Sequence, residues 1–325
     1  MIRTVLALAI VHGVACAAEF PEATISNGQV SAKLYLPDSE RGYYRASRFD
    51  WAGVIPELKY QGHSYFGQWF EIYDPKKHDA IMGPVEEFLS GRTLPGYEDA
   101  KAGESFLRIG VGLLRKPDEP EFRRMFTYDV ANPGKWTVTT KPDSVEFVHN
   151  LQDKASGYSY SYRKVVRLTP GKPELVLEHT LKNTGTKPID TDVYNHNMFV
   201  IDGQRTGPDF SVRFAFAPRA VASMNGDAGI RGNDLVYLKT LEQGQRVSTD
   251  IEGFGRSASD YDIRIENAKT GAGVRITGDR PLSRLLLWSV PTVLCPEAYV
   301  TMSIPPGGEY RWTIRYNFYA LGARP

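Results

Sequence analysis

The stretch Tyr194–Phe199, which reads YNHNMF, holds the most informative pattern of the chain. It follows an apolar, alternating run at Glu174–Asn183 and a turn-like segment at Thr184–Pro188. Two alternating runs joined by a turn with glycine and proline predict a pair of strands. His196 then lies in the middle of the second strand, between two amides and close to two aromatic side chains.

His196 is a candidate proton carrier because an imidazole changes its charge near neutral pH. The amides of Asn195 and Asn197 could fix its tautomer or hold hydroxyl groups, and the neighbouring aromatic rings offer flat faces to a sugar. The alternative is a core histidine whose ring nitrogens bond to backbone groups. On the residue pattern alone the core interpretation is the commoner one, because isolated residues of this kind are often structural.

The composition indicates an ordinary globular protein. Its 325 residues are 42% hydrophobic and 24% charged, and the net charge is +1. A charge so close to zero, without long lysine or arginine runs, argues against a nucleic-acid-binding surface. Aromatic residues make up 12% of the chain, which suits both β-structure and stacking against sugars. No composition break or internal repeat divides the chain, so residues 19–325 are predicted to form one domain.

The N-terminus predicts export. Met1–Arg3 is a short basic start, Thr4–Ala15 is mainly apolar, and small residues follow. We therefore predict a signal peptide over residues 1–18, cut near Ala17 or Ala18, and a periplasmic or secreted protein.

The predicted cleavage separates the two cysteines. It removes Cys16 and leaves Cys295 alone, so the mature chain would hold no internal disulfide. A lipoprotein with lipid on Cys16 is the weaker alternative, because Gly13 stands where a large aliphatic residue is usual. Cys295 is predicted to be a buried, unreactive thiol. Beyond the N-terminus no stretch is long and apolar enough for a membrane helix.

Period-two alternation dominates the rest of the chain, and almost no segment carries a 3.6-residue apolar period. Gln61–His63 predicts a hairpin turn, and Phe106–Leu114 predicts one strand whose glycines suggest a bulge. Pro84–Leu89 is predicted to be a short helix, with its proline in the first turn. Many successive strands with hairpin turns indicate an all-β protein built from two large packed antiparallel sheets.

The sequence offers no recognised metal or cofactor motif. Cysteine pairs, glycine-rich phosphate loops and a Gly-x-Ser-x-Gly elbow are missing, and the histidines lack metal-ligand spacing. His149 and His179 fall in alternating strands and are predicted to be structural. Glu86 and Glu87 lie near His78 in sequence, so either a cleft role or a solvated acidic face fits them.

An ordered set of motifs resembles the galactose mutarotase (aldose 1-epimerase) superfamily. Tyr194–Phe199 resembles its Asn-His strand, and Val293–Glu297 resembles the segment that carries its catalytic glutamate. Asp262 matches a Tyr-Asp-His position in which Ile263 replaces the histidine. The matches cover roughly the C-terminal half, and the remaining ones are a core strand at Leu282–Trp288 and a final hairpin at Pro305–Tyr316.

The resemblance implies a large antiparallel β-sandwich, the galactose mutarotase-like supersandwich, and an enzyme that acts at the anomeric carbon of a sugar. Glu297 would be the base and His196, protonated, the acid, and no metal or organic cofactor would be required. The implied partner is a small sugar or oligosaccharide, with no nucleic acid and no membrane span; the oligomeric state stays open. The substrate-binding candidates are Asp262, Asn195, Asn197, His78, Glu86, Arg48 and Trp69.

Two other functions stay open at this point. A non-catalytic carbohydrate-binding module, or another carbohydrate enzyme such as a lyase, could share the fold. The N-terminal half lacks the His-Gly-Gly segment of the superfamily, and His78 and Gly83–Phe88 occupy its approximate place. The presence of both His196 and Glu297 favours the epimerase.

Overall fold

The structure is a computed structural model that describes residues 19–89, 93–119 and 121–322. The predicted signal peptide, residues 1–18, lies outside the described residues. No helix in the described part of the chain is long and apolar enough to cross a membrane.

The described residues form strands joined by turns and loops, with two short 3-10 turns at Ile201–Gly203 and Ala258–Asp260 and no α-helix. In the first half of the chain the strands are β1 (Glu22–Ser26), β2 (Val30–Tyr35), β3 (Val54–Tyr60), β4 (His63–Ser64), β5 (Gly83–Leu89), β6 (Ser105–Arg108), β7 (Gly112–Arg115), β8 (Val130–Asn132), β9 (Lys135–Lys141), β10 (Ser144–Gln152), β11 (Ser159–Leu168) and β12 (Glu174–Asn183). In the second half they are β13 (Ile189–Met198), β14 (Phe210–Phe214), β15 (Arg219–Ala220), β16 (Ala228–Arg231), β17 (Asp234–Tyr237), β18 (Val247–Glu252), β19 (Asp262–Asn267), β20 (Ala272–Gly278), β21 (Arg284–Val290), β22 (Val293–Ile304) and β23 (Glu309–Ala320).

Two large sheets account for most of these strands. One has ten strands in the order β16-β17-β14-β19-β20-β23-β12-β11-β10-β9, and the other has six in the order β15-β18-β21-β22-β13-β5. Two smaller sheets have the orders β1-β2-β3-β4 and β6-β7-β8. Neighbouring strands run antiparallel, as between β13 and β22 and between β11 and β12. The all-β, antiparallel prediction is confirmed.

The main core lies between the inner faces of the two large sheets. Leu177 of β12 and Val166 of β11 belong to the same buried apolar cluster as Val193 of β13 and Leu287 of β21. Each such side chain contributes about 1.5–3 kcal/mol relative to an exposed one. This layer fixes the six-stranded sheet in place, so that its other face, called here the outer face, can carry polar side chains.

Loops of the N-terminal half cover the outer face. A second buried cluster joins Phe49 and Tyr128 from those loops to Met198 of β13 and Cys295 of β22. The cover therefore encloses the outward-directed side chains of β13 and β22. Cys295 is buried and is the only cysteine among the described residues.

Two local predictions were wrong. Pro84–Leu89 belongs to strand β5 rather than to a helix. Both faces of this strand are buried, so it lacks the apolar–polar alternation that identifies a half-exposed strand. Phe106–Leu114 is not one bulged strand, because β6 and β7 pair as a tight hairpin. Gly110 has a φ of 78° in its turn, and Gly112, the first residue of β7, has a φ of 136°, which is the conformation that favours glycine.

Candidate active site

His196 and Glu297 meet on the outer face of the six-stranded sheet. Their strands pair antiparallel with Tyr194 opposite Tyr299, and side chains two residues apart on a strand share a face. The Nε2 atom of His196 lies 3.3 Å from Oε1 of Glu297. Only 5% of His196 and 3% of Glu297 is exposed. Two groups that are 101 positions apart in the sequence thus form one buried contact, called here the His196–Glu297 pair.

The electrostatic surroundings keep this pair nearly neutral. Burial raises the pKa of Glu297 to about 7, although the cations of Arg48 and Arg124 oppose the shift. Burial, followed by the Arg48 cation, lowers the pKa of His196 well below its ordinary value. Both shifts disfavour an imidazolium–carboxylate ion pair near pH 7. The 3.3 Å separation is therefore a close contact between a neutral imidazole and a carboxyl group whose pKa is about 7.

Two further contacts define what the pair can do. Tyr299 donates a hydrogen bond from its hydroxyl to Oε2 of Glu297 at 3.1 Å, and thereby orients that carboxyl group. The Nδ1 atom of His196 is buried and has no hydrogen-bond partner among the described residues. A buried polar atom of this kind is costly to leave unpaired, so it is a natural contact for a polar ligand or a water molecule.

Aromatic rings line the pair. Trp288 and Phe49 pack edge-on against the His196 ring, with centroids 5.5 Å and 5.6 Å away. Trp69 packs edge-on against Trp288 at 5.6 Å, and its indole N–H donates to the Ile81 carbonyl at 2.9 Å. Trp69 and Trp288 remain partly exposed. They offer the flat apolar surface beside a proton-transfer pair that a sugar ring requires.

A charged cluster borders the pair around the buried carboxylate of Glu87. Arg48 donates from Nε to Glu87 at 2.9 Å, and Arg124 donates from Nη2 at 2.7 Å. Arg108 approaches within 3.5 Å, and the Tyr194 hydroxyl also donates to Glu87. Burial alone would raise the pKa of Glu87, but the three guanidinium groups hold it well below its usual range. These residues are called here the Glu87 cluster.

A stacked pair of tyrosines connects the Glu87 cluster to the His196–Glu297 pair. The rings of Tyr194 and Tyr299 lie 4.3 Å apart and nearly parallel. Arg124 donates to the Tyr194 hydroxyl at 2.6 Å, while the Tyr299 hydroxyl donates to Glu297. The stack therefore places the hydrogen-bond donor of Glu297 against a hydrogen-bond partner of Arg124.

Asn195, Asn197 and Glu86 face away from His196. Asn195 donates to Glu86 at 2.9 Å, and Asn197 donates to the Pro296 carbonyl at 2.8 Å and accepts from Tyr316 at 2.7 Å. The cause is strand geometry, because adjacent residues of a strand point to opposite faces. The interpretation that these amides flank the imidazole or hold substrate hydroxyls does not fit their placement.

Glu86 instead belongs to a fully buried inner network behind the site. It accepts a hydrogen bond from Asn195 and contacts Nε2 of His179 at 2.8 Å, and it forms an ion pair with Lys164. Burial opposes its ionisation, but Lys164 and His179 lower the pKa of Glu86 to about 2. Asp50 lies 3.8 Å from Lys164, and burial raises its pKa to about 7.

Of the remaining candidate residues, Arg48 and Trp69 adjoin the site and His78 does not. Arg48 contacts the site through Glu87 and Tyr194, and Trp69 reaches it through Trp288. His78 is buried in the cover, where its Nε2 atom lies 3.3 Å from the Ser47 hydroxyl, and burial lowers its pKa to about 4.

Asp262 is not brought to the pair. It lies on β19 of the ten-stranded sheet and bonds to Arg275 at 2.8 and 2.6 Å. Its neighbour Ile263 points into the main core, so the Asp262 side chain points to the opposite face of that sheet. The motif match therefore led to a residue outside the site.

Comparison with known proteins supplies the fold relationship. No protein-family model and no curated protein matches the chain. A GalM/aldose epimerase homologue from C. elegans matches with a TM-score of 0.58 and 16% identity, over 93% of this chain and 99% of that one. A galactose mutarotase related enzyme from Lactobacillus acidophilus gives 0.56 and 12%, over 93% and 99%. The chain has the galactose mutarotase-like fold. A galactose 1-epimerase from Lactobacillus acidophilus NCFM also matches, with 0.50 and 11% over 92% and 94%.

Several site residues of this galactose mutarotase-like chain were missed by the sequence reasoning. Tyr194 was quoted within a motif without a role, and Tyr299 was given no role, although each lies two positions from a proposed catalytic residue and so shares its face. Trp288 could have been found in the same way from the alternation of β21. Arg124 lies in a loop, where no periodicity indicates its direction.

Proposed function

We propose that this protein is a sugar epimerase of the mutarotase type, which interconverts anomers by acid–base catalysis at the anomeric carbon. The observation that carries the proposal is the buried contact between His196 and Glu297, beside two partly exposed tryptophan rings. The fold of aldose epimerase homologues supports the same activity, although a fold alone does not establish a function.

The reaction needs one proton acceptor and one proton donor at the same carbon atom. Opening a pyranose removes the proton from the C1 hydroxyl and adds a proton to the ring oxygen. Both oxygens are bonded to C1, so two groups in contact with each other can each reach one of them. The total number of protons on the pair stays the same, because one proton enters as the other leaves.

The protonation state of the pair suits this chemistry. A general acid or base works best when its pKa lies near the working pH, and that of Glu297 is about 7. In the free protein burial places the proton on Glu297 rather than on His196. We therefore assign the two transfers to the pair jointly: whichever partner holds the proton donates to the ring oxygen, and the other accepts from the hydroxyl.

Access to the pair requires movement of side chains. Because only a few per cent of His196 and Glu297 is exposed, a sugar reaches them when the partly exposed rings of Trp69 and Trp288 shift. Those rings can then stack against the apolar face of the sugar, and the unpaired Nδ1 of His196 becomes available for a hydrogen bond.

The test is anomer exchange of free sugars, followed by NMR or polarimetry. His196→Asn and Glu297→Gln keep the approximate shape but cannot transfer the proton, so each should lower the rate about 10²–10⁴-fold. The Gln side chain at position 297 retains an oxygen that accepts the hydrogen bond of Tyr299, so the fold should persist. His63→Asn is the control, because His63 lies apart from the pair and contacts Asp202. A wild-type rate in Glu297→Gln would contradict the proposal, and binding of sugar without turnover would favour a carbohydrate-binding module.

Export is part of the proposal. The N-terminal pattern supports a signal peptide over residues 1–18 and a periplasmic or secreted location. Mass spectrometry of the mature chain should find its start near Ala18 or Glu19, and recovery of an uncut chain from the cytoplasm would contradict this.

A further inference from the structure

We propose that the sugar taken by this site carries a carboxylate, as in a hexuronate, and that Arg124 binds it; this inference rests on the proposed function. Three features of the Glu87 cluster support it: the unused donors of Arg124, the distance to the His196–Glu297 pair, and the balance of charge.

Arg124 has donors to spare. Its Nε and Nη2 atoms donate to the two carboxylate oxygens of Glu87 at 3.0 and 2.7 Å, and Nη2 also donates to the Tyr194 hydroxyl. Its Nη1 atom makes no hydrogen bond to any described residue, and 36% of the side chain is exposed. The guanidinium is thus held in a fixed orientation with two N–H groups available. A fixed guanidinium of this kind is a strong carboxylate donor.

The position of Arg124 fits one sugar ring. The Tyr194 ring centroid lies 6.1 Å from the His196 ring and 5.8 Å from the guanidinium carbon of Arg124. The imidazole and guanidinium centres are therefore no more than about 12 Å apart. A hexopyranose with C1 at the pair can place its exocyclic carbon beside a cation within that span.

The Glu87 cluster, taken together with Asp79, carries one positive charge more than the acids neutralise. Arg48, Arg108 and Arg124 contribute three cations. Glu87 contributes one carboxylate, and Asp79 contributes a second through its 2.5 Å contact with Arg48. A single carboxylate would balance the surplus, whereas a phosphate monoester, with a charge of about −1.5 to −2, would exceed it.

The other charged groups near the site do not change this balance. Arg284, which lies over the Tyr299 ring, is paired with Asp250 at 2.6 Å. His78 is neutral, since its pKa is about 4, and His196 is neutral for the same reason of burial. Glu297 holds its proton below pH 7.

The test compares three sugars that differ only at C6: D-galactose, D-galacturonate and D-galactose 6-phosphate. Anomer exchange is measured for the wild type, Arg124→Gln, Arg124→Lys and the control Arg123→Gln, whose exposed side chain bonds to Glu119. Arg124→Gln leaves Glu87 with two guanidinium partners, so the fold should persist. We expect kcat/KM for galacturonate to fall about 10- to 100-fold in Arg124→Gln, the worth of one charged hydrogen bond. The loss on galacturonate should exceed the loss on galactose, Arg124→Lys should lose less than Arg124→Gln, and Arg123→Gln should match the wild type.

Each outcome decides one of the two proposals. An equal loss on galactose and galacturonate, or a preference for the 6-phosphate, would overturn the carboxylate assignment and leave the epimerase standing. Absence of turnover on all three sugars would overturn the epimerase. Thermal melts with added galacturonate then serve as the second measurement: a stabilising shift that disappears in Arg124→Gln supports the anion site, and no shift in the wild type overturns it.

Discussion

Lys164 is the residue whose loss should harm the fold most clearly. Its side chain is fully buried, and its ammonium group forms an ion pair with Glu86, donates to the Ala52 carbonyl at 2.9 Å and lies 3.8 Å from Asp50. Lys164→Met keeps the aliphatic stem and removes the charge. The inner network then holds two buried acids without a cation that is close to both of them.

The size of the effect follows from the desolvated carboxylate. Removing one partner of a buried ion pair costs about 3–5 kcal/mol, since the other charge stays buried without compensation. Glu86 retains hydrogen bonds to Asn195 and His179, so we expect the lower half of that range at pH 8. The double variant Lys164→Met, Glu86→Gln removes both charges and should lie within about 1–2 kcal/mol of the wild type.

The deficit should also depend on pH, with a definite sign. In the wild type Lys164 helps to hold the pKa of Glu86 at about 2. Without the cation, burial raises that pKa above its value in the unfolded chain, so the folded variant gains stability by binding a proton. The deficit in Lys164→Met relative to the wild type is therefore largest at pH 8 and shrinks towards pH 5.

Urea unfolding followed by tryptophan fluorescence, at pH 5 and pH 8, measures these free energies. Lys59→Met is the matched control, because Lys59 pairs with Glu57 on the surface at 55% exposure, where such a pair is worth about 0–1 kcal/mol. A deficit below about 1 kcal/mol in Lys164→Met, or a double variant that loses as much as the two single variants together, would refute the account of the inner network.

Two further predictions concern the site and its support. The Tyr299 hydroxyl donates to Glu297 and thereby lowers the pKa of that carboxyl group. Tyr299→Phe removes the hydroxyl, so the limb of the pH–rate profile that Glu297 produces should move to higher pH. An unchanged profile would show that this hydrogen bond does not tune the carboxyl group. Gly110→Ala should cost more than about 2 kcal/mol in urea unfolding, because a Cβ there would lie 2.7 Å from the Asp50 carboxylate as well as at positive φ. Gly103→Ala, also at positive φ but in open space, should cost only about 1 kcal/mol, and equal losses would contradict the contact argument.

The sequence predicted the fold well where one face of a strand is apolar. Period-two alternation located β12 at its observed bounds, Glu174–Asn183, because this strand buries one face against the main core. It did not identify β5, whose two acids are buried on opposite faces. The groups that compensate them, such as Arg48 and Lys164, lie 39 and 78 positions away, and no local pattern reveals such partners.

The candidate site was predictable only in part. His196 was singled out from its strand pattern and Glu297 from a resemblance, and the fold places them in contact. The neighbours of His196 in sequence were poor candidates, because the alternation that placed His196 on one face placed Asn195 and Asn197 on the other. Asp262 was named from a motif match, but it lies on the ten-stranded sheet, whereas His196 and Glu297 lie on the six-stranded sheet.

The two-faced burial of β5 has a consequence for the order of folding. This strand lies at the edge of the six-stranded sheet and reads Val85-Glu-Glu-Phe88, so a shift of one residue would still give each face one acid and one apolar side chain. Hydrophobic pattern therefore does not choose its register. Two other features must determine the register of β5. A Cβ at Gly83 would lie 2.8 Å from the Ile55 carbonyl, and cations on each face of the strand pair with the two acids. We expect β5 to join the sheet last, once those cations are in place, and its amides to exchange hydrogen sooner than those of β13 and β22.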